Sequence, residues 1–88
     1  MKVEFKSSFE KDLRRIDENK LREQVKEIIQ MAEQAQDIHG LENIKKLRGS
    51  DNYYRIRMGD YRIGLIAEGD MVTFVRLLHR KDIYRYFP

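Results

Sequence analysis

The feature that most constrains this chain is a change of hydrophobic period near its middle. Before residue 40, apolar residues recur every three or four positions, which is typical of helices that pack through one face. From Tyr53 onward they alternate with polar residues, and tight-turn sequences interrupt the alternation at Gly59-Asp60 and Glu68-Gly69-Asp70. The pattern therefore predicts helices first and then an antiparallel meander of three strands.

Residues typical of helix ends and turns refine the predicted bounds of these elements. A first helix is predicted at 8–16, where Ser7 and Glu10 have the spacing of a capping box. A second helix is predicted to start after Asp17-Glu18-Asn19 and to end at His39-Gly40. Its apolar stripe fits core packing, although a partner protein can also dock on such a stripe. The remaining predicted elements are strands at 1–5, 53–58, 61–67 and 71–78, a connector at 41–47 and a turn at 49–52.

This order predicts an α+β domain in which a helical hairpin covers one face of the sheet. The 88 residues suffice for one such domain, predicted to span 1–88. No apolar run approaches the roughly 18–20 residues of a membrane helix. Charges near the N-terminus also argue against a signal peptide. The chain has no cysteine and so has no disulfide framework, which suits a reducing cytosol. Together these features predict a soluble, unprocessed, cytoplasmic protein.

Charge is unevenly distributed along the chain. Residues 1–44 hold eight Lys/Arg and ten Asp/Glu, a balance of −2, whereas residues 45–88 hold ten and five, a balance of +5. A basic half on a folded domain is the electrostatic footprint of a phosphate-rich partner. A solvated basic surface without a partner would have the same composition.

Strand alternation predicts where this positive charge lies. Ile56 and Met58 belong against the helices, so the residues that alternate with them face the open side of the sheet. The basic groups expected to converge there are Arg55, Arg57, Arg62, His79 and Arg80. Arginine binds phosphate through paired hydrogen bonds, and these strands hold too few acids, such as Asp60 and Asp82, to pair every arginine.

The tail after residue 78 is polar and aromatic. Tyr84 and Tyr86 suit stacking on nucleic-acid bases, whereas Ile83 and Phe87 are expected to close the edge of the core. No metal-ligand cluster, glycine-rich phosphate loop or serine nucleophile arrangement is apparent in the sequence. The sequence therefore predicts neither a cofactor nor a metal.

Three segments of the basic half carry a family resemblance. They are residues 46–49, 54–63 and 78–84, which read KLRG, YRIRMGDYRI and LHRKDIY. Together they resemble the RelE/ParE superfamily, the toxins of bacterial and archaeal type II toxin–antitoxin systems, and most of all its RelE branch. The resemblance extends over nearly the whole chain and implies one RelE-like toxin domain.

RelE-branch toxins cut messenger RNA in the ribosomal A site by attack of a 2′-hydroxyl on the adjacent phosphate. This reaction needs a base, a cation for the crowded phosphate and an acid for the leaving oxygen. By resemblance, the catalytic residues include Arg55, Arg57, Arg62, Arg80 and Tyr86, with Tyr84 as the alternative tyrosine. The candidate RNA-binding residues are Lys45, Lys46, Arg48, Lys81, Tyr84 and Arg85.

The general base is the point at which the resemblance is incomplete. RelE itself has lysines where this chain has Arg55 and Arg57, and arginine is a poor base because it stays protonated. His79 is therefore a further catalytic candidate, since the ordinary pKa of histidine lies near neutrality.

The resemblance also implies partners. It predicts a cognate antitoxin, RelB-like or other, that wraps the toxin with an acidic or amphipathic segment, and it allows a toxin–antitoxin heterotetramer. The second predicted partner is the ribosome with messenger RNA in its A site, and no membrane partner is predicted. Two alternatives stay open: a ParE-like toxin that inhibits DNA gyrase without cutting RNA, and an inactive RNA-binding module.

Overall fold

The structure is a computed structural model that describes residues 1–49 and 51–88. Its core is one five-stranded sheet with helices on one face, which confirms the predicted α+β class. The strands are β1 (Lys2–Phe5), β2 (Ile44–Lys46), β3 (Tyr53–Met58), β4 (Tyr61–Glu68) and β5 (Met71–His79). The helices are α1 (Ser7–Arg14), α2 (Asn19–Gln34) and the single turn α3 (Ile83–Tyr86), with a 3-10 turn at Ile38–Gly40.

The strand order is β1-β5-β4-β3-β2. Strands β3, β4 and β5 form the predicted antiparallel meander. Gly59 and Gly69 have φ values of 58° and 59° in the two connecting turns, a region that glycine adopts without steric cost. At the two ends of the sheet, β1 pairs parallel to β5 and β2 pairs antiparallel to β3.

The main core lies between the sheet and the helical hairpin. The predicted core stripe of α2 contributes buried Val25 and Ala32, and Ile56 and Met58 of β3 are buried against the helices as predicted. Phe9 of α1 is fully buried between aromatic neighbours, because its ring centroid lies 5.8 Å from that of Phe5 and 5.4 Å from that of Phe74.

Several predicted boundaries are wrong. Helix α2 ends at Gln34 because Ala35 adopts an extended conformation, and Ile38 belongs to the 3-10 turn that follows. Lys6, rather than Ser7, is the residue that precedes α1, and it makes no capping hydrogen bond through its side chain. The predicted connector at 41–47 contains strand β2. The predicted turn at 49–52 includes Ser50, which lies outside the described residues.

Helix α1 completes the edge of β5 that β1 does not cover. The Ser8 hydroxyl donates to the carbonyl oxygen of Val75 over 2.6 Å, and the amide of Leu77 donates to a carboxylate oxygen of Asp12 over 2.9 Å. Val75 is the extra residue of a bulge, because its neighbours in β5 pair with consecutive residues of β4. Side chains of α1 thus satisfy backbone groups that an edge strand would otherwise leave unpaired.

The C-terminal tail folds back across the sheet face opposite α1 and α2. Ile83 and Phe87 are almost fully buried, as expected from the sequence, and the Phe87 ring lies 5.4 Å from that of Tyr53. The ring also covers Gly64, where an ideal Cβ would lie only 2.6 Å from its carbons. Strand alternation predicted an open face here, whereas the tail covers part of it.

Among the described residues, no helix is long and apolar enough to cross a membrane.

Candidate phosphate site

Strand register gathers arginine residues on the sheet face opposite α1 and α2, which we call the arginine face. Arg57 of β3 pairs directly with Arg62 of β4, and Arg55 lies two positions along β3. Residues two apart in a strand point to the same side, and their neighbour Ile56 is buried against the helices. The structure therefore brings Arg55, Arg57 and Arg62 together as the alternation predicted.

The guanidinium of Arg62 is held by backbone carbonyls. Its Nη1 donates to the carbonyl oxygen of Gly59 over 2.7 Å and to that of Tyr61 over 2.9 Å. These contacts fix the side chain beside the β3–β4 turn. Because carbonyl oxygens carry no net charge, the contacts orient Arg62 without neutralising it.

The surroundings of Arg62 disfavour its own charge. Partial burial lowers the pKa of Arg62, the positive charges of Arg55, Arg57 and Arg80 lower it further, and only Tyr84 acts in the opposite direction. Within residues 1–49 and 51–88, Arg55, Arg57 and Arg62 form no ion pair with a carboxylate. A bound anion would relieve this repulsion, since it would favour every charge in the cluster.

Arg55 shows the same lack of a counter-charge. Its side chain is half-buried, and its Nη1 makes a long hydrogen bond of 3.3 Å to the carbonyl oxygen of Asn43. Its Nε is buried and has no hydrogen-bond partner among the described residues. Burying an unsatisfied donor is costly, so this arginine is kept in place at the expense of stability.

Arg80 joins the cluster from the turn after β5. Its backbone N–H donates to the carbonyl oxygen of Asp60 over 2.7 Å, which ties that turn to the β3–β4 hairpin. Its guanidinium lies 3.9 Å from the Asp60 carboxylate, and both side chains are more than half exposed. Such a long, solvated pair contributes little. We refer to Arg55, Arg57, Arg62 and Arg80 as the arginine cluster.

The two candidate tyrosines lie on different sides of α3. Tyr84 is 61% exposed and lies close enough to Arg62 to affect its pKa. Tyr86 is two residues later, and its ring lies 5.5 Å from the guanidinium carbon of Arg76. Helical residues two apart point in nearly opposite directions. The tyrosine beside the arginine cluster is therefore Tyr84, the alternative in the sequence analysis.

The predicted position of His79 is wrong. His79 pairs with Tyr61, and Tyr61 in turn pairs with the buried Met58, so this row of residues faces the helices. The imidazole packs edge-on against the Tyr61 ring, with the centroids 5.7 Å apart. Its Nδ1 accepts a hydrogen bond of 3.2 Å from the amide of Lys81, which fixes the ring locally. His79 and the arginine cluster thus occupy opposite faces of the sheet.

A basic groove borders Tyr84 on the β2 side. It has a volume of about 350 Å³. Its lining comprises Lys45, Lys46, Leu47, Arg48, Tyr84, Phe87 and Pro88. The structure therefore joins four of the six candidate RNA-binding residues in one concave surface, whereas Lys81 and Arg85 are exposed outside its lining.

Sequence reasoning missed the pair formed by Asp12 and Arg76. The Arg76 Nε lies 2.8 Å from an oxygen of Asp12, and that carboxylate is almost fully buried. A signal was present, because Asp12 follows Phe9 by three positions and precedes Ile16 by four, which places a carboxylate within the buried stripe of α1. Among the described residues, no group of three or more histidine, cysteine or acidic side chains could hold a metal ion.

Comparison with known proteins identifies the kind of molecule that carries this site. Residues 3–84 match the model of a family described as the ParE toxin of type II toxin–antitoxin system, parDE. The chain is 46% identical over 89 residues to toxin RelE3 of Methanocaldococcus jannaschii, with 100% of both chains covered.

Solved structures agree with this assignment. The chain is similar to the RelB–RelE antitoxin–toxin complex from Methanococcus jannaschii, with a TM-score of 0.83, 44% identity, and coverage of 98% of this chain and 100% of that one. It is similar to the intact E. coli RelBE complex with a TM-score of 0.63, 25% identity and coverage of 89% and 94%. The YoeB dimer of Staphylococcus aureus, at 13% identity, a TM-score of 0.73 and coverage of 90% and 95%, shares the fold.

Fold and relatives together define a small toxin of the RelE/ParE kind. The chain belongs to the ParE toxin family of type II toxin–antitoxin systems. Its full-length similarity to a RelE toxin makes it a RelE-like member.

Proposed function

We propose that residues 1–88 form a single toxin domain that cuts messenger RNA on the ribosome and thereby inhibits translation. The observation that carries this proposal is the arginine cluster, in which burial and the neighbouring arginines lower the pKa of Arg62. Among the described residues, the only carboxylate paired with the cluster is that of Asp60, which forms a long, solvated pair with Arg80. A fold has no reason to collect repelling cations on one face unless they bind an anion. The phosphate of an RNA strand has the required charge and size.

The proposed reaction is a transfer at phosphorus. The 2′-oxygen bonds to the adjacent phosphorus as the bond to the 5′-oxygen breaks, leaving a cyclic phosphate and a 5′-hydroxyl. The arginine cluster would stabilise the negative charge that grows on the phosphate oxygens, so this part of catalysis would be electrostatic and would need no metal. Arg62 is the best-oriented donor, because two carbonyl oxygens hold its guanidinium.

We assign proton transfer to Tyr84, and not to Tyr86 or His79. Tyr86 and His79 were candidates, but the Tyr86 ring contacts Arg76 and His79 shares a row with the buried Met58. Tyr84 is exposed and adjacent to Arg62, which supports a role for its hydroxyl in exchanging a proton with the reacting oxygens. The basic groove beside Tyr84 would hold the RNA strand on the β2 side of the cut.

A cognate antitoxin is the proposed partner in the resting state. The closeness of this chain to the RelE subunits of RelB–RelE complexes supports such a pairing, and a heterotetramer is the assembly that we expect. A second surface also supports it: a groove of about 310 Å³ in which Phe5 is 43% exposed, which we call the apolar groove. Its lining is mostly apolar and comprises Phe5, Phe9, Glu10, Leu13, Arg14 and Ile29. An antitoxin with an amphipathic helix for this groove and acidic residues for the arginine cluster would cover both. Action on ribosomes would place the toxin in the cytoplasm.

Primer extension on a translated message tests the function directly. Wild-type protein should produce new 5′ ends within translated codons, and the same RNA without ribosomes should stay intact. Arg62→Ala should lower the cleavage rate by about 10²- to 10³-fold, the usual cost of losing one preorganised donor. Lys26→Ala is the matched control, because Lys26 is an exposed cation on the outer side of α2. Equal cleavage by both variants would contradict the assignment of the site.

Gyrase inhibition is the second candidate, because the matching family is described as that of the ParE toxin. The same purified protein can be added to a DNA supercoiling assay. Loss of supercoiling, together with intact ribosome-bound message, would favour this candidate over the nuclease.

A further inference from the structure

Asp12, Arg76 and Tyr86 form a connected cluster that the proposed reaction does not use, and we call it the tail clamp. Arg76 donates twice to the carboxylate of Asp12, from Nε over 2.8 Å and from Nη2 over 3.1 Å. The guanidinium carbon of Arg76 lies 5.5 Å from the centroid of the Tyr86 ring. The carboxylate is 5% exposed and also accepts the amide of Leu77, so its position is fixed on three sides.

The clamp acts on a short tail. Helix α3 is a single turn of four residues, which is too short to be stable without tertiary contacts. Its other anchors are Ile83 and Phe87, which are buried on the sheet. These apolar contacts hold the tail down, whereas the planar guanidinium of Arg76 contacts one side of α3 and so opposes its rotation.

Rotation of α3 matters because of what lies on its other side. Tyr84 precedes Tyr86 by two residues, and helical residues so spaced lie about 200° apart around the axis. With Tyr86 beside Arg76 of β5, the turn therefore presents Tyr84 away from β5, and Tyr84 lines the basic groove together with Lys46 of β2. There Tyr84 also lies close enough to Arg62 of β4 to affect its pKa.

We propose that Asp12 and Arg76 are positioning residues that hold Tyr86 and thereby present Tyr84 to the arginine cluster. The kinetic part of this inference rests on the proposed nuclease function, whereas the placement of the tail does not. Asp12 lies on α1, against β5, and reaches the reaction only through Arg76 and the tail. Activity should therefore depend on a carboxylate that touches neither RNA nor the arginine cluster.

Asp12→Asn is the primary variant, because it keeps the shape of the side chain and removes the charge that orients Arg76. We expect the rate of message cleavage at saturating ribosomes to fall about 10- to 100-fold, the usual consequence of a misplaced reacting group, with little change in the ribosome concentration needed for half-maximal rate. Tyr86→Phe retains the ring and should retain the rate. Tyr84→Phe removes the hydroxyl and should abolish rapid cleavage.

Ser8→Ala is the matched control. The Ser8 hydroxyl also fastens α1 to β5, because it donates to the carbonyl of Val75, and it is not a member of the tail clamp. A purely structural role for Asp12 would make both variants lose activity in proportion to their loss of stability. Equal slowing by Ser8→Ala and Asp12→Asn at matched stability would overturn the proposal.

Amide hydrogen exchange tests the clamp without any cleavage assay. The amide of Phe87 donates to the carbonyl of Ile83 over 2.8 Å, and that of Arg85 to the carbonyl of Asp82 over 3.0 Å. Both amides should exchange faster in Asp12→Asn and Arg76→Ala, and at the wild-type rate in Ser8→Ala. Wild-type exchange in the Asp12 and Arg76 variants would overturn the clamp whether or not the protein cuts RNA. If the exchange pattern holds and the wild type cuts nothing, only the proposed function fails.

Discussion

Replacing Gly64 with alanine tests how tightly the tail is packed on the arginine face. A Cβ at this position would lie 2.6 Å from two carbons of the Phe87 ring and 2.8 Å from a third. Phe87 is 2% exposed, so its ring is closely surrounded by other atoms. Overpacking of this kind costs about 1–3 kcal/mol. The upper limit is set by release of the tail, since exposing a buried phenylalanine costs a similar amount.

Gly64→Ala should change the free energy of unfolding in the opposite direction when the Phe87 ring is absent. Gly64 does not adopt a left-handed conformation, so its backbone accepts alanine without strain. In a strand interior, alanine is favoured over glycine by about 0.5–1 kcal/mol. Gly64→Ala should therefore destabilise the wild type and stabilise a Phe87→Ala background. The coupling energy between the two sites should be about 1.5–4 kcal/mol.

Urea denaturation of the wild type, both single variants and the double variant, followed by circular dichroism, gives the four free energies of unfolding. The double-variant cycle supplies its own control, because effects on the unfolded chain occur in both backgrounds. If Gly64→Ala destabilises both backgrounds equally, Phe87 does not cover Gly64 and the tail lies elsewhere.

Three further predictions concern the charged and apolar surfaces. Inorganic phosphate should raise the thermal unfolding midpoint of the wild type more than that of Arg62→Ala. The reason is that an anion bound only by the folded state stabilises that state by about 2.7 kcal/mol at a hundredfold excess over Kd. Equal shifts in the two proteins would contradict an anion site at the arginine cluster. Lys46→Gln should weaken binding to single-stranded RNA and reduce the slope of log affinity against log salt by about 0.7, whereas an unchanged slope would exclude Lys46 from phosphate contact. Phe5→Asp should weaken binding of the cognate antitoxin, measured by calorimetry, while leaving message cleavage unchanged; unchanged affinity would remove the apolar groove from that interface.

The sequence predicted those parts of the fold that depend on local periodicity. Alternation in β3 correctly assigned Ile56 to the core and Arg55 and Arg57 to the opposite face, because only one face of that strand can be buried against the helices. The glycine turns gave the connectivity of the meander for the same local reason.

The remaining features depend on contacts between distant parts of the chain. Strand β2 has three residues, two of them exposed lysines, so it shows no alternation that a sequence can reveal. The parallel pairing of β1 with β5 joins residues some seventy positions apart, such as Val3 and Val72. The tail packs on the arginine face because Gly64 leaves room for a ring, and neither sequence segment indicates the other.

In the candidate site too, some residue positions follow from local sequence patterns and others depend on contacts between distant residues. Arginine positions follow from alternation, whereas the side on which His79 lies depends on its pairing with Tyr61 across β4 and β5. The choice between Tyr84 and Tyr86 depends on how a single helical turn is rotated, which no local pattern specifies.

Strand β2 has a consequence for anyone who expresses or redesigns this protein. With the edge of β5 covered by β1 and α1, β2 is the outer strand at the other end of the described sheet. Its brevity and its two exposed lysines, Lys45 and Lys46, discourage sheet-to-sheet association between copies, and the same lysines line the basic groove. Placing valine or leucine there to test the proposed RNA binding would create an apolar edge strand that promotes aggregation. Glutamine or glutamate would remove the positive charge on which the proposed RNA binding depends and would keep the edge polar.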